Sequence, residues 1–438
     1  MTVDGEERGE AHHDVFVQDE DGKRLTGGRL PEGVEGIARF HEMVGAHADE
    51  PGEVVIGIET DRGLFVGALV AAGYRVFAVN PMSTSRYRDR HSTSGAKSDP
   101  GDAKVLADMV RTDRHNHRPV AGDSELAEAI KVLARAHQTM IWSRTRQTNF
   151  LRSTLREFYP AALVAFDDLT SSDALEVLKV APTPTLGTGL SRSKIAAALR
   201  RGGCQRRVDQ RAEEIQEALR APQLQGSALV ATAMGSSVSA TVAVIATMNA
   251  QVGELAQELD VHFEQHPDAE VVRSLPGLGT ILSARVLGEF GDEPNRYATA
   301  KCRKNYAGTS PITRASGTKR VVLARYVRNM RLADAVYQWA FTSMNASPGA
   351  RAFYDYRRTA GDTHHAALRH LGNRLVGILH GCLVSHSTYN ENTAWGHRAE
   401  DVGCLTGPVE MDPVKPLYQA VTSRRVKTMV VTTAAAST

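Results

Sequence analysis

A short run without any polar side chain constrains the fold of this chain more than any other feature. Residues 54–58 read Val-Val-Ile-Gly-Ile, too short for a buried helix, and predict a central strand covered on both faces. A hairpin pattern at 13–27 precedes this run, and a helical segment at 63–72 and a second strand at 74–79 follow it. Because Glu59 comes directly after the first buried strand, we expect an open α/β sheet with functional groups at its strand ends.

Three regions follow this α/β domain, which we place at 1–120. The segment 121–268 is predicted to be a long helical or coiled-coil region, with a proline- and glycine-containing linker at 181–193. The segment 269–385 is mainly helical and contains Leu-Pro-Gly-Leu-Gly, typical of a helix-hairpin-helix element whose backbone amides bind phosphate. Residues 386–438 are predicted to be an irregular tail. The expected fold class is therefore multidomain, α/β plus α.

The composition argues against several classes of protein. A net charge of +2 over 438 residues is ordinary for a globular chain, and no signal peptide, nucleotide-binding loop or zinc spacing is recognisable. The four cysteines are widely separated, which argues against a disulfide framework and favours the reducing cytoplasm. The paired histidines at 12–13 and 364–365 are expected on the surface. The uncharged stretch 221–253 is interrupted by polar residues, so we expect a buried or interhelical helix and no membrane contact.

Positive charge is concentrated at 296–331, where ten lysines and arginines occur without a single acid. Such a stretch is expected to hold an anion. Its second part belongs to a segment, 321–341, with helical spacing, which would bring Arg325, Arg328 and Arg331 together along a phosphate backbone.

Ser316 lies in the turn that precedes this predicted helix. A hydroxyl held among cations can attack a phosphate, because the cations stabilise the negative charge that develops. Arg314, Lys319 and Arg320 are the expected neighbours. The same pattern also fits a turn serine beside a solvated basic helix, and the spacing alone leaves both interpretations open.

Carboxylates near the predicted sheet are the candidate metal ligands. If the helix that begins near Asp99 and Asp102 starts over the strand that ends in Glu59, three carboxylates meet, which suits Mg²⁺ acting on a phosphodiester. Helix capping explains Asp99 and Asp102 without a metal. The preceding segment, 83–98, is predicted to be a loop, either solvated or closing on nucleic acid. Its basic residues include Arg86, Arg88, Arg90 and Lys97.

Two blocks of the sequence resemble the DEDD-type insertion-sequence transposases, the family that includes the Piv and MooV invertases. The first block consists of Gly57-Ile58-Glu59-Thr60, Val79-Asn80-Pro81 and Lys97-Ser98-Asp99-Pro100-Gly101-Asp102-Ala103. The second consists of Leu275-Pro276-Gly277-Leu278-Gly279, Tyr306-Ala307-Gly308 and Ser316-Gly317. With the arginine-bearing helix between them, which includes Arg144, these blocks cover most of the chain.

The resemblance implies a RuvC-like, RNase H-type N-terminal domain in which four acidic residues bind Mg²⁺. Glu59, Asp99 and Asp102 match three of them. It also implies that Ser316 is the nucleophile that forms a covalent phosphoserine link to DNA. Members of this family are recombinases guided by a noncoding bridge RNA, and they act as dimers or tetramers whose active sites combine domains of different protomers. The basic segments would then contact RNA or DNA.

The first acidic residue departs from the family's pattern. An aspartate should end an apolar first strand, but only Met1-Thr2-Val3-Asp4 is available, so Asp4 is our choice and Glu7 the alternative. Three explanations account for the short first strand: the true start codon lies upstream, the insertion element has decayed, or the fold tolerates a shortened strand. A structure-selective RuvC-like nuclease that uses water, and an inactive nucleic-acid-binding remnant, therefore remain as alternatives to the recombinase.

Overall fold

A six-stranded sheet forms the N-terminal part of the chain in the computed structural model. The structure describes residues 2–4, 12–61, 63–91, 98–120, 122–224, 226–294, 296–326 and 328–396, with only the backbone of 2–4 and 118. The chain up to Tyr389 is one compact unit, and the chain from Asn390 is a second. The elements of the N-terminal part are β1 (Thr2–Asp4), β2 (His12–Gln18), β3 (Arg24–Pro31), α1 (Val34–Gly45), β4 (Val55–Ile58), α2 (Leu64–Ala71), β5 (Arg75–Ala78), α3 (Pro81–His91), α4 (Asp99–Asp113) and β6 (Arg118–Pro119).

The strands of this sheet follow the order β3-β2-β1-β4-β5-β6. β2 is antiparallel to both β1 and β3, whereas β1, β4 and β5 are parallel, and β6 is antiparallel to β5. Although β1 has only three residues, it pairs on both sides, Asp4 with Phe16 and with Gly57. The three residues of β1 thus lie between β2 and β4 in the sheet.

Helices cover both faces of the sheet. On one face, Val15 of β2 belongs to the same core as Phe40 of α1 and Leu69 of α2. On the other face, α4 lies so close to β4 that a Cβ at Gly57 would be 3.0 Å from the carbonyl oxygen of Leu106. This close approach requires glycine at position 57 and places α4 over the central strands.

The middle of the chain is a helical bundle with its own core. In α5, Arg144 contacts Asn249 of α11, while Leu151, further along α5, shares a core with Val242, so these two long helices run antiparallel. Shorter helices close this core. The elements are α5 (Glu125–Phe158), α6 (Pro160–Ala165), α7 (Ser172–Val180), α8 (Pro184–Thr188), α9 (Arg192–Arg201), α10 (Val208–Arg220) and α11 (Ala228–Glu264).

A β-hairpin interrupts the helices of the C-terminal part. Its elements are α12 (Ala269–Arg273), α13 (Thr280–Phe290), α14 (Ala300–Tyr306), β7 (Ile312–Ser316), β8 (Lys319–Leu323), α15 (Met330–Ala346), α16 (Pro348–Thr359) and α17 (His364–Ser385). The turn between α12 and α13, predicted as a helix-hairpin-helix element, packs on α15: Trp339 Nε1 donates to the carbonyl of Pro276 at 3.0 Å. The second unit contains α18 (Glu391–Trp395).

The structure corrects the predicted helix at 321–341. β8 ends at Leu323 and α15 begins only at Met330, because the β-branched Val321 and Val322 continue a hairpin. Arg325, Arg328 and Arg331 therefore do not share a helix.

Two predicted loops are also wrong. The segment 83–91 belongs to α3, and the predicted linker at 181–193 contains α8 and the start of α9. The predicted strand at 54–58 and the predicted helix at 125–158 are confirmed. In both confirmed segments, apolar residues recur at the spacing of the element that forms.

One helix of the described chain, α11, is long and apolar enough to cross a membrane by length and composition alone. Its most apolar window has a mean hydropathy of 1.8, and 28% of that window is buried. A single helix of this kind is weak evidence for a span, because core helices of soluble proteins pass the same test. Its exposed apolar side chains include Leu229, Val230 and Val244.

Candidate active site

The ends of two central strands bring two of the predicted acids to one edge of the sheet. β1 and β4 are parallel, and Asp4 at the end of β1 pairs with Gly57 on β4. Parallel strands end at the same edge, so the backbone of Asp4 lies beside the chain that leads to Glu59. The side chain of Glu59 is half-buried there.

The N-terminus of α4 lies over the same edge. At the other end of this helix, Arg111 donates a hydrogen bond of 3.4 Å to the carbonyl of Glu20, in the turn between β2 and β3. That turn is beside the start of β1, because β2 and β1 are antiparallel. The first turn of α4, with Asp99 and Asp102, is therefore at the edge where β1 and β4 end. Ser98 caps this helix through its hydroxyl, so Asp99 is not the N-cap.

Asp102 is a deeply buried carboxylate at this edge, with 4% of the residue exposed. Arg88 of α3 forms an ion pair with it, but without hydrogen-bond geometry, and both carboxylate oxygens lack hydrogen-bond partners. Burying a carboxylate is costly unless a cation compensates its charge. Arg88, predicted as a nucleic-acid contact, thus neutralises Asp102 in this structure.

A second group of ligand atoms includes Asp99. One atom each from His12, Asp14 and Asp99 lies within 4.8 Å of the others. Arg29 on β3 donates to Asp14 at 3.0 Å and is 3.9 Å from Asp99. The hydrogen bond to Asp14 is the main cause of the raised pKa of Arg29.

His12 and Asp14 were not predicted as ligands from the sequence. Alternation along β2 was the available signal, since residues two apart share a face of the sheet. His13 points to the opposite face, where it is buried, stacks on Phe65 and pairs with Glu32. The expectation that both histidines lie on the surface is therefore wrong for His13.

These groups fit a divalent metal bound mainly by oxygen. Carboxylate oxygens are the preferred protein ligands of hard divalent cations. The oxygens of Asp102 are buried without hydrogen-bond partners, and arginines supply the positive charge beside both Asp102 and Asp99. A bound cation would take over this neutralising role.

Ser316 lies at the tip of the β7–β8 hairpin. It pairs with Lys319 across the two turn residues Gly317 and Thr318. Of these two, only Gly317 has a positive φ, of 57°, which matches a type II′ turn. Every residue from 313 to 323 is exposed. The serine hydroxyl is therefore carried on a ribbon that extends away from the helices.

Two of the three predicted cationic neighbours share a face with Ser316. Directly opposed residues of an antiparallel pair lie on the same face, as do residues two apart on one strand. Lys319 is opposite Ser316, and Arg314 precedes Ser316 by two residues on β7. Arg320 is opposite Ala315 and belongs to the other face.

A buried ion pair anchors the chain where it leaves the hairpin. Asn329 caps α15 by accepting hydrogen bonds from the amides of Arg331 and Leu332 at 3.0 and 3.1 Å. Its own amide donates to Glu289 at 2.6 Å, and Arg135 of α5 donates to both oxygens of Glu289 at 2.7 and 2.9 Å. Burial acts to raise the pKa of Glu289, but these hydrogen bonds outweigh it, so the pKa is lowered.

Arg135 also connects this network electrostatically to the sheet edge. The hydrogen bond with Glu289 is the main cause of its raised pKa, and the charge of Asp61, two residues after Glu59, adds to the effect. Asp61 in the loop after β4 and Glu289 at the base of the hairpin therefore both stabilise the charged guanidinium of Arg135.

The other predicted nucleic-acid contacts differ in exposure. Arg86 and Arg90 of α3 are exposed, whereas Arg88 is not. Arg144 is half-buried in its contact between α5 and α11, and Arg325 is half-buried beside a loop carbonyl. Lys97 lies outside the described residues.

An acidic sheet edge and a serine among cations suit an enzyme that acts on phosphodiesters, and comparison with known proteins specifies the class as a DNA transposase. Residues 8–160 match the DEDD transposase domain of IS110 elements, and residues 269–355 match the transposase domain of the IS116/IS110/IS902 family. The chain therefore belongs to the IS110 family of transposases, as the sequence resemblance predicted.

Relatives of this family are similar along most of the chain. A mini-circle protein of Streptomyces coelicolor, named as the transposase of IS117, is 43% identical over 391 residues, which cover 88% of this chain and 94% of the relative. The 42 kDa protein of insertion element IS900 from Mycobacterium paratuberculosis is 28% identical over 395 residues, covering 89% and 97%.

Proposed function

We propose that this transposase cuts and rejoins DNA through a covalent link between Ser316 and a phosphate at the end of its element. As the bond from Ser316 Oγ to phosphorus forms, the bond from phosphorus to one deoxyribose oxygen breaks, and the hydroxyl proton passes to that oxygen. The adduct keeps a phosphoester bond, so the reverse attack rejoins strands without ATP. The observation that carries the proposal is the exposed position of Ser316, with Arg314 and Lys319 on the same face.

Asp4, Glu59, Asp99 and Asp102 are proposed to hold Mg²⁺ in a RuvC-like domain, with which the strand order is consistent. When bound, Mg²⁺ neutralises and polarises the scissile phosphate. Among the described side chains, Asp102 gives the strongest support, because its buried oxygens have no hydrogen-bond partner. Asp14 adds a further oxygen ligand beside Asp99.

A homo-oligomer, either a dimer or a tetramer, is proposed to complete the active site. The hairpin residues 313–323 are exposed, so they are accessible to a second protomer. The exposed apolar side chains of α11 offer a surface for association.

A noncoding bridge RNA is proposed to guide the transposase to its DNA. The reaction is proposed to take place in the cytoplasm. Exposed Arg86, Arg90 and Arg320 are proposed to follow the backbone of RNA or DNA, to which cations bind without reading sequence.

A trapping assay tests the serine. The protein is incubated with Mg²⁺, the noncoding RNA encoded beside its gene and a nicked suicide DNA, and adducts are identified by denaturing electrophoresis and peptide mass spectrometry. We expect a DNA adduct on Ser316 that the Ser316→Ala variant does not form. The matched control is Thr318→Ala, which removes the other hydroxyl of the same turn and leaves the adduct.

The alternatives give different results in the same assay. Cleaved DNA without an adduct, also from Ser316→Ala, identifies a nuclease that uses water. Binding without cleavage identifies an inactive remnant. A Ser316 adduct that forms equally well without RNA contradicts the proposed guidance.

A further inference from the structure

A cavity of about 330 Å³ lies at the base of the Ser316 hairpin, between α15, α17 and the loop before β7. Residues from all three elements line it. They include Gly308, Arg328, Asp334, Tyr337, His365 and Arg369. Neither the metal ligands nor the serine proposed above belongs to this cavity.

Two arginines make the wall of the cavity cationic. Arg328 lies against Gly308, where an added Cβ would be 2.4 Å from the Arg328 side chain, and Gly308 has a φ of 70°. The Nε of Arg328 is buried without a partner, and neither Arg328 nor Arg369 forms an ion pair among the described residues. Asp334, an acid of the same wall, is already bound by Arg285 at 2.6 Å. The cavity therefore has positive charge available for an anion.

Two rings complete the wall. The Tyr337 hydroxyl is 2.9 Å from His365 Nδ1, and the ring centroids are 5.8 Å apart. Sites for single nucleic-acid strands combine cations that hold phosphate with rings that stack on bases. A volume of about 330 Å³ is at the lower end of the range for small-molecule sites and suits one nucleotide.

We propose that this cavity binds one nucleotide of a DNA strand, with its phosphate at Arg328 and Arg369 and its base against Tyr337 and His365. The hairpin sets the distance from the reacting phosphate. Four strand steps separate Ile312 from Ser316, which corresponds to about 13 Å. The cavity at the base of the hairpin therefore receives a nucleotide that is not the one whose phosphate reacts at Ser316.

Binding is measured in the Ser316→Ala protein, so that the result does not depend on the proposed covalent chemistry. The probe is a fluorescent thymidylate decamer, followed by anisotropy at fixed salt. We expect Arg369→Gln to weaken binding about tenfold, because a charge-assisted phosphate contact is lost. The control Arg351→Gln removes a cation that pairs with Asp355 on α16, and it should change affinity less than about twofold.

Photocrosslinking locates the bound strand. A decamer that carries 5-iodo-deoxyuridine is expected to crosslink to Tyr337 or His365, identified by peptide mass spectrometry. Crosslinks confined to 312–323, or equal affinities of Arg369→Gln and Arg351→Gln, would overturn the proposal. The proposal would also be overturned if Arg369→Gln weakened binding of a uridylate decamer and left binding of the thymidylate decamer unchanged. The occupant of the cavity would then be RNA. Arg369 is exposed, so its substitution should preserve folding, and thermal unfolding checks this.

Discussion

Lys319 and Arg320 are neighbours in sequence, but the pleat of β8 gives them different surroundings. Lys319 faces the same side of the hairpin as Ser316, where negative charge would develop, and Arg320 faces the opposite side. We expect Lys319→Ala to slow adduct formation about 10²-fold at saturating DNA, because a preorganised cation is lost. Arg320→Ala should weaken DNA binding and leave that rate unchanged. Single-turnover kinetics across DNA concentrations separate the two effects, and equal rate losses would contradict the assignment.

Arg88 illustrates how one residue can compete with a ligand. Its guanidinium neutralises buried Asp102, so a divalent cation at that carboxylate must replace it. Arg88→Gln leaves a buried charge unpaired, which costs on the order of 3 kcal/mol of stability without metal. We therefore expect Mg²⁺ to raise the thermal midpoint of Arg88→Gln more than that of the native protein. Arg90→Gln, on the exposed side of α3, is the control, and an equal rise in all three proteins would refute the competition.

At the scale of elements, the start of α15 depends on a buried carboxylate. The pKa of Glu289 is lowered in the folded protein, so its contribution is fully present above its unfolded value of about 4.3 and is lost as pH falls through the folded value. Glu289→Gln should lower the urea midpoint at neutral pH, and this difference from the native protein should shrink below about pH 4. Exposed Glu270→Gln serves as the control. A difference that stays constant down to pH 2 would argue against this role of Glu289.

Elements with a continuous pattern could be predicted from sequence, and elements that depend on distant partners could not. The strand β4 has no polar side chain, and apolar residues recur at helical spacing along both ends of the long helix α5. The hairpin was mistaken for a helix because apolar residues at 321–332 also fit a helical spacing, although Val321, Val322 and the Gly317 turn favour strands. The pairing of Arg88 with Asp102 was beyond sequence reasoning, since the two residues lie on different helices.

At the scale of the whole molecule, α11 exposes apolar side chains that association would bury. Val230 and Val244 are 54% and 42% exposed, and a separation of two heptads puts them on one side of the helix. We expect Val230→Glu with Val244→Glu to shift the protein to a smaller species in analytical ultracentrifugation and to reduce adduct formation. Gln251→Glu adds a charge at an exposed polar position of the same helix and should leave the sedimentation unchanged. An unchanged oligomer in the double variant would exclude this surface.

The hairpin that carries Ser316 is a two-stranded ribbon, and among the described residues no further strand pairs with it. Its outer edges present free amides and carbonyls beside exposed Val321 and Val322, and ribbons of this size are barely stable alone. Such edges can pair with a strand of another copy, and they make the chain accessible to proteases. Nucleic acid bound along the hairpin would cover these edges, so we expect the chain to be cut more slowly by proteases at 312–323 when its nucleic acid is bound than when it is free.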